Sequence, residues 1–149
     1  MIKKNTEIKL NTATAEEIEK HLLECDDRFD PPLSSRVNIT AYAVRLVEKA
    51  VTIEAYSRGE LSALVAVYCN REFGNEAFIS NVSVLRTLEG SGVASRLMVL
   101  CINYARENKF PAIALEVSEK NERAVRFYTK FGFETESNQN GLLRMKLQF

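Results

Sequence analysis

Cysteine, histidine and long apolar runs are scarce in this sequence, and neither sign of charge is in excess. The three cysteines, Cys25, Cys69 and Cys101, stand apart, without the C-x-x-C spacing that marks zinc sites. We therefore expect no metal site, no disulfide framework, and reduced thiols in a cytoplasmic protein. The one histidine, His21, falls in a helical segment with a charged face, where we expect it to lie on the surface.

Neither a membrane nor a nucleic acid is indicated as a partner. The sequence has no run of about 18 apolar residues that would cross a membrane, and its first seven residues lack the apolar core of a signal peptide. Lysine plus arginine and aspartate plus glutamate each total 20. Because basic residues are not interleaved with aromatic ones, we expect no nucleic-acid surface.

The length of 149 residues predicts one domain, residues 1–149, that buries about two thirds of its unfolded surface. Thr14-Ala15-Glu16-Glu17 has the pattern of a capping box and begins the first predicted helix. Prolines keep residues 26–38 out of a helix. The further predicted elements are a short strand over 8–10, a helix beginning at Asn38 or Thr40, a hairpin over 51–57 and 61–68, a strand ending at Val84, a helix over 90–108, a strand over 112–117, a helix over 121–131, and a hairpin turning at Asn140-Gly141.

The segment between the strand ending at Val84 and the next helix carries the first chemical signal. Gly90 and Gly92 are separated by one residue directly before the helical pattern. Glycine lets backbone N–H groups converge on an anion, and the positive end of the helix dipole adds to the attraction. The pattern predicts a phosphate-binding turn.

Four features in order resemble the GCN5-related N-acetyltransferase (GNAT) family. These are Val84, then Gly90-Ser91-Gly92-Val93-Ala94, then Leu115-Glu116-Val117, and last the segment from Asn121 to Phe133 with Tyr128 inside it. The resemblance covers residues 50–149. It implies a mixed α/β fold in which about four helices flank a central, mostly antiparallel sheet of six to seven strands. It also implies an acetyl-CoA and catalytic core over residues 78–133, and an acceptor side built by residues 14–50.

The resemblance also implies roles for individual residues. Tyr128 corresponds to the general acid that protonates the leaving thiolate, and Glu116 to the base proposed for the family's ribosomal-protein N-terminal acetyltransferases. The residues expected to contact acetyl-CoA are Val84, Glu89, Gly90, Ser91, Gly92, Val93, Ala94 and Asn121.

Two glutamates are unusual on physical grounds. Glu116 lies in an otherwise apolar strand, so it needs a partner or a cleft. Glu89 stands where the family usually has Arg or Gln, and a carboxylate beside a pyrophosphate repels it unless it is turned outward. Ser80, Asn81 and Ser83 are secondary candidates for holding a water or the substrate.

A dinucleotide-binding unit is a rival interpretation, because Gly90-x-Gly92 follows a strand and Glu116 lies in the next one. The five residues between Val84 and Gly90 and the lack of a second βαβαβ half count against it.

The sequence thus predicts an N-acetyltransferase that uses acetyl-CoA as its acyl donor and acts by direct attack in a ternary complex. The acceptor is a primary amine of a small molecule or a peptide N-terminus. The alternative is a CoA-binding or interaction module that has lost turnover, which Glu89 suggests. The oligomeric state, including a homodimer, stays open.

Overall fold

The computed structural model describes residues 5–71 and 74–149. Within them, four α-helices and seven strands follow one another in the order that the sequence predicts. The helices are α1 (Ala15–Cys25), α2 (Ile39–Lys49), α3 (Val93–Glu107) and α4 (Glu122–Lys130). The strands are β1 (Thr6–Leu10), β2 (Val51–Ser57), β3 (Glu60–Tyr68), β4 (Ala77–Val84), β5 (Ala112–Ser118), β6 (Glu134–Gln139) and β7 (Leu142–Gln148).

The seven strands form one sheet in the order β1-β2-β3-β4-β5-β7-β6. Neighbouring strands are antiparallel except β4 and β5, which pair in parallel across the α3 crossover. The expected mixed, mostly antiparallel sheet with about four helices is therefore confirmed.

A β-bulge at Ser80 interrupts β4. Val67 of β3 pairs with Ile79 and Ala66 pairs with Asn81, so Ser80 has no partner of its own on β3. Pairing between β4 and β5 ends at the same level, at Ile79 and Leu115, although both strands continue beyond it. Because a bulge increases the local twist, the strands separate there and leave a gap between them, which we call the β4–β5 gap.

Helices cover both faces of the sheet, which explains why β3 is apolar along most of its length. Leu64 and Ala66 of β3 pack with α1 and α2 on the face that we call the front face. Val65 and Val67, which alternate with them, pack with α3 and residues of α4 on the back face. The back-face core continues across β5 and β7, so the β4–β5 gap is bordered by packed elements.

Local signals place the helix ends. Thr14 and Glu17 form the predicted capping box, in which the Glu17 N–H donates to Thr14 Oγ1 over 3.1 Å and the Thr14 N–H to Glu17 Oε1 over 3.0 Å. Asn38 and Asn121 cap α2 and α4. The final hairpin turns at Asn140 and Gly141, both with positive φ, as the Asn-Gly pair predicts.

The connection between α1 and α2 is more ordered than a plain loop. It contains two short 3₁₀ turns, Asp26–Arg28 and Leu33–Ser35. The Asp26 carboxylate joins the turns, because it accepts from the Ser34 N–H over 2.8 Å and the Ser34 hydroxyl over 2.6 Å. The predicted connection over residues 70–75 lies partly outside the described residues.

No helix in the described part of the chain is both long and apolar enough to cross a bilayer.

Candidate active site

The segment from Glu89 to Ala94, which we call the cradle, joins β4 to the start of α3. Its two glycines have positive φ, 77° at Gly90 and 85° at Gly92, and Gly92 is the N-cap of α3. A Cβ built on Gly90 meets no atom within 4 Å, so the space beside this residue is open. The N–H groups that find no acceptor in the described chain are those of Gly90, Gly92, Ala94 and Ser95. Free donors at a helix N-terminus fit an anion such as a pyrophosphate.

Two cradle residues, Ser91 and Val93, offer no free backbone donor, because their N–H groups bind Leu88 O and Ser91 Oγ. The side chains of Ser91 and Val93 are buried. Ser91 Oγ accepts the Val93 N–H over 3.4 Å, beside the N-cap Gly92.

One backbone donor at the end of β4 is directed into the β4–β5 gap. The Leu85 N–H donates to Ser62 O of β3 over 2.8 Å. Successive N–H groups along a strand point to opposite sides. The Val84 N–H therefore points away from β3, towards the gap, whereas the Leu85 N–H is already used.

Tyr128 lies on the back face, within the cluster that α3 and α4 form. Its ring makes edge-to-face contacts with Phe127 and Phe133, at centroid distances of 5.4 and 5.9 Å. Burial raises the pKa of Tyr128 to about 12, with a smaller contribution from the Cys101 thiol. No hydrogen bond of its hydroxyl is found in residues 5–71 and 74–149. The phenol is thus protonated at neutral pH and its proton is free to be donated.

Glu116 lies on the opposite face of the sheet from Tyr128. Leu115 and Val117 pack into the back-face core, so the alternation of β5 turns Glu116 to the front. It is exposed, and it stands opposite Arg144 of β7, whose guanidinium instead binds Glu76 and Glu136 at 2.9 and 3.0 Å. Because this side chain is exposed, the cost of a buried, unpaired carboxylate that led us to expect a cleft or a partner does not arise.

The N-terminal end of α4 borders the same gap. Asn121 Oδ1 accepts the Ala124 N–H over 3.2 Å, so its capping role is confirmed. The structure thus places the cradle after β4, Asn121 at the start of α4, and Tyr128 and Glu116 on opposite faces of the sheet.

The model of the acetyltransferase (GNAT) family matches residues 15–133 of this sequence. The chain belongs to the GNAT family. None of the curated proteins matches it significantly.

Several solved GNAT structures share the fold. An acetyltransferase of the family from Desulfovibrio desulfuricans superposes with a TM-score of 0.78 at 14% identity, covering 96% of this chain and 98% of that one. The PaiA N-acetyltransferase from Thermoplasma acidophilum, in complex with coenzyme A, gives 0.74 at 13%, covering 96% and 99%. The ribosomal-protein-S18-alanine N-acetyltransferase from Escherichia coli gives 0.75 at 18%, covering 96% and 93%.

In this GNAT chain, two arginines compensate the unusual cradle carboxylate. Arg28 Nη2 and Arg123 Nη1 both donate to Glu89 Oε1, over 2.7 and 2.9 Å. Both hydrogen bonds lower the pKa of Glu89, and the bond from Arg123 has the larger effect. The carboxylate is therefore charged. Arg28 comes from the turn after α1 and Arg123 from the first turn of α4, so one oxygen joins three parts of the chain.

His21 is buried, so its predicted surface position is wrong. It lies between α1 and the sheet, with Nδ1 3.2 Å from Leu61 O and Nε2 2.9 Å from Ser83 Oγ. Burial lowers its pKa to about 4, although both hydrogen bonds raise it. A carbonyl can only accept, so Nδ1 carries the proton and the neutral ring accepts the Ser83 hydroxyl at Nε2. A signal was present: His21 shares the helical stripe of Ile18, Leu22 and Cys25.

This buried chain continues to Asn81, next to the bulge. Ser83 Oγ lies 2.8 Å from the side-chain amide of Asn81. Ser83 Oγ thus lies between His21 Nε2 and Asn81 Oδ1 and links the two side chains. Asn81 and Ser83 are therefore structural partners of α1, and of the three polar β4 residues only Ser80 is partly exposed.

A groove of about 980 Å³ lies on the front face between α2 and the start of β4. Its lining includes Arg45, Tyr68, Phe78, Ser80 and Arg144. Ser80 is also the bulged residue and contacts Tyr42 of α2 through a short hydroxyl–hydroxyl hydrogen bond. The groove therefore reaches the level at which the β4–β5 gap opens.

No cluster of three or more metal-ligating side chains is found among the described residues.

Proposed function

We propose that this protein transfers the acetyl group of acetyl-CoA to a primary amine of a small molecule or a peptide, by direct attack in a ternary complex. One observation carries the proposal: the β4–β5 gap opens between a cradle with free N–H donors and two titratable groups on opposite faces of the sheet. Acetyl-CoA supplies the acetyl group as a thioester.

The cradle and the gap have the features that this donor requires. The N–H groups of Gly92, Ala94 and Ser95 would hold the pyrophosphate, and Asn121 would lie against the pantetheine arm at the gap. The Val84 N–H would donate to the thioester carbonyl oxygen. A fixed donor of this kind stabilises the negative charge that develops on that oxygen as the amine attacks.

Tyr128 is proposed as the group that donates a proton to the leaving sulfur. With a pKa of about 12 it holds its proton throughout the neutral range. Full transfer to a thiolate of ordinary pKa, about 8.5, is uphill at equilibrium. The phenol therefore stabilises the thiolate mainly as a hydrogen-bond donor while the C–S bond breaks.

Glu116 is proposed as the group that accepts a proton from the attacking amine. Its position on the front face separates it from Tyr128, so proton removal and proton donation occur on opposite sides of the gap. The front groove leads to the same level at Ser80 and would seat the acceptor. In the net reaction, the N–C bond forms and the C–S bond breaks. One amine proton leaves through Glu116 or a water beside it.

The open front face and the groove support the proposed acceptor class. Both a small amine and a peptide N-terminus can enter from a side that α1 and α2 leave uncovered over β5 and β7. The fold similarity to the ribosomal-protein-S18-alanine N-acetyltransferase keeps peptide N-termini among the acceptors to test.

The alternative, a CoA-binding module without turnover, rests on the repulsion expected from Glu89. Since Arg28 and Arg123 bind that carboxylate, its charge is compensated, and the argument for lost turnover weakens.

The test follows release of free CoA thiol with a panel of small amines and short peptides. We expect Tyr128→Phe to lower the rate of transfer by about a hundredfold or more, while the affinity for acetyl-CoA changes less than about twofold because no bond of the hydroxyl supports binding. Tyr104→Phe removes the hydroxyl of a half-buried tyrosine in α3; it is the matched control and should keep its activity. A Tyr128→Phe enzyme with the wild-type rate at every pH would show that Tyr128 is not the acid.

A further inference from the structure

The cluster around Glu89 contains more positive than negative charge. Arg28 and Arg123 bind Glu89, and next to them Arg86 Nη2 contacts Asp27 Oδ2 at 3.3 Å. In these ion pairs three guanidinium groups meet two carboxylates. Although Glu89 replaces the family's usual Arg or Gln, the surroundings of the cradle still attract an anion.

Besides its ion pair with Glu89, each arginine has one feature that is unfavourable for the protein itself. Arg123 lies in the first turn of α4, where a cation opposes the helix dipole. Arg28 Nη1 is buried and has no hydrogen-bond partner, an arrangement that costs free energy. Both guanidinium groups therefore make more hydrogen bonds when an anion with several acceptor oxygens replaces the single carboxylate oxygen.

The Glu89–Arg123 pair also spans the β4–β5 gap. Glu89 follows β4, and Arg123 follows β5, so their 2.9 Å contact joins the two sides of the opening at its cradle end. The pair is exposed, with 74% of the Arg123 side chain accessible, and exposed ion pairs exchange partners readily. A ligand that enters the gap from the cradle end must pass this contact.

We propose that Arg28 and Arg123 are phosphate ligands of acetyl-CoA, and that the pyrophosphate displaces the Glu89 carboxylate which holds both arginines in the free protein. Arginine suits this role because its planar guanidinium binds phosphate oxygens in pairs. The inference rests on the proposed function, since it names the residues through which the same site binds acetyl-CoA.

The experiment is isothermal titration of four variants, Arg28→Gln, Arg123→Gln, Glu89→Gln and Arg106→Gln, with acetyl-CoA and with S-acetylpantetheine, which lacks all phosphates. We expect each of the first two to weaken acetyl-CoA about tenfold and to leave S-acetylpantetheine unchanged. Glu89→Gln should tighten acetyl-CoA about threefold, because the competing carboxylate is gone. Arg106, at the far end of α3 beside Phe149, is the matched control and should bind as wild type.

The outcomes separate this inference from the proposed function. Wild-type affinity in Arg28→Gln and Arg123→Gln, with the same thermal unfolding midpoint, would overturn the assignment of the phosphate ligands. Weaker binding by Glu89→Gln would overturn the displacement. Equal losses for acetyl-CoA and S-acetylpantetheine would show a general distortion of the gap and also overturn it. If the folded wild-type protein binds neither compound, the proposed function fails first and the inference with it.

Discussion

His21 makes the stability of this protein depend on pH in a range where most carboxylates do not titrate. Its pKa is about 4 in the folded protein and 6.5 as the ordinary value. The unfolded chain therefore binds a proton on acidification before the folded chain does. The stability that the neutral, buried ring provides is complete above pH 6.5 and is lost as the pH falls towards 4.

The magnitude follows from the two pKa values. Integrating the difference in bound protons from pH 7 to pH 4.5 lowers the free energy of unfolding by about 2.5 kcal/mol. The ring is buried on every side by α1 and the sheet, so solvent screening reduces this figure little. The loss is a substantial fraction of the stability of a typical domain, about 5–15 kcal/mol.

The assay is urea unfolding of the wild type and of His21→Gln at pH 7, 5.5 and 4.5. We expect the variant to be less stable at pH 7, because Leu61 O and Ser83 lose their hydrogen bonds to the imidazole ring. The informative quantity is the change of the free energy of unfolding with pH in each protein. Carboxylates with lowered pKa values, such as Asp26 and Glu89, occur in both proteins and cancel in the comparison. Equal slopes in the two proteins would refute the neutral, buried state of His21.

Three further predictions concern the fold and the cradle. Leu64→Ala, at a position with no exposure in the front-face core, should cost about 2–5 kcal/mol of unfolding free energy in urea; a loss below about 1 kcal/mol would contradict the packing. Thr14→Ala removes one half of the capping box and should cost about 1 kcal/mol, whereas Thr14→Ser should cost less. Gly92→Ala forces a side chain to φ 85° and should cost about 1–2 kcal/mol; if titration shows unchanged affinity for acetyl-CoA in this variant, the cradle does not depend on the backbone at Gly92.

Much of the fold could be predicted because its signals are local. A capping box at Thr14, a cap at Asn121 and an Asn-Gly turn at residue 140 each depend on residues no more than four positions apart. The apolar runs of β3 and β5 likewise predict strands buried on both faces. The resemblance of the segment from Asn121 to Phe133 to the family extended these signals to a candidate acid at Tyr128.

The site required contacts that no local pattern contains. Glu89 is 61 residues from Arg28 and 34 from Arg123, so its compensated charge is invisible to any window of sequence. The bulge at Ser80 arises from its register with β3, and it fixes where β4 and β5 separate. The placement of Tyr128 and Glu116 on opposite faces follows from that same sheet.

By itself, the sequence determined the order and the type of the elements, because hydrogen bonds within a turn or a helix and the alternation of apolar residues act over a few positions. Only the tertiary structure decided that His21 is a neutral core residue and that two arginines surround Glu89. The free energy of a buried or paired charge depends on the groups that meet it in space, and His21 finds Leu61 and Ser83 at separations of 40 and 62 residues.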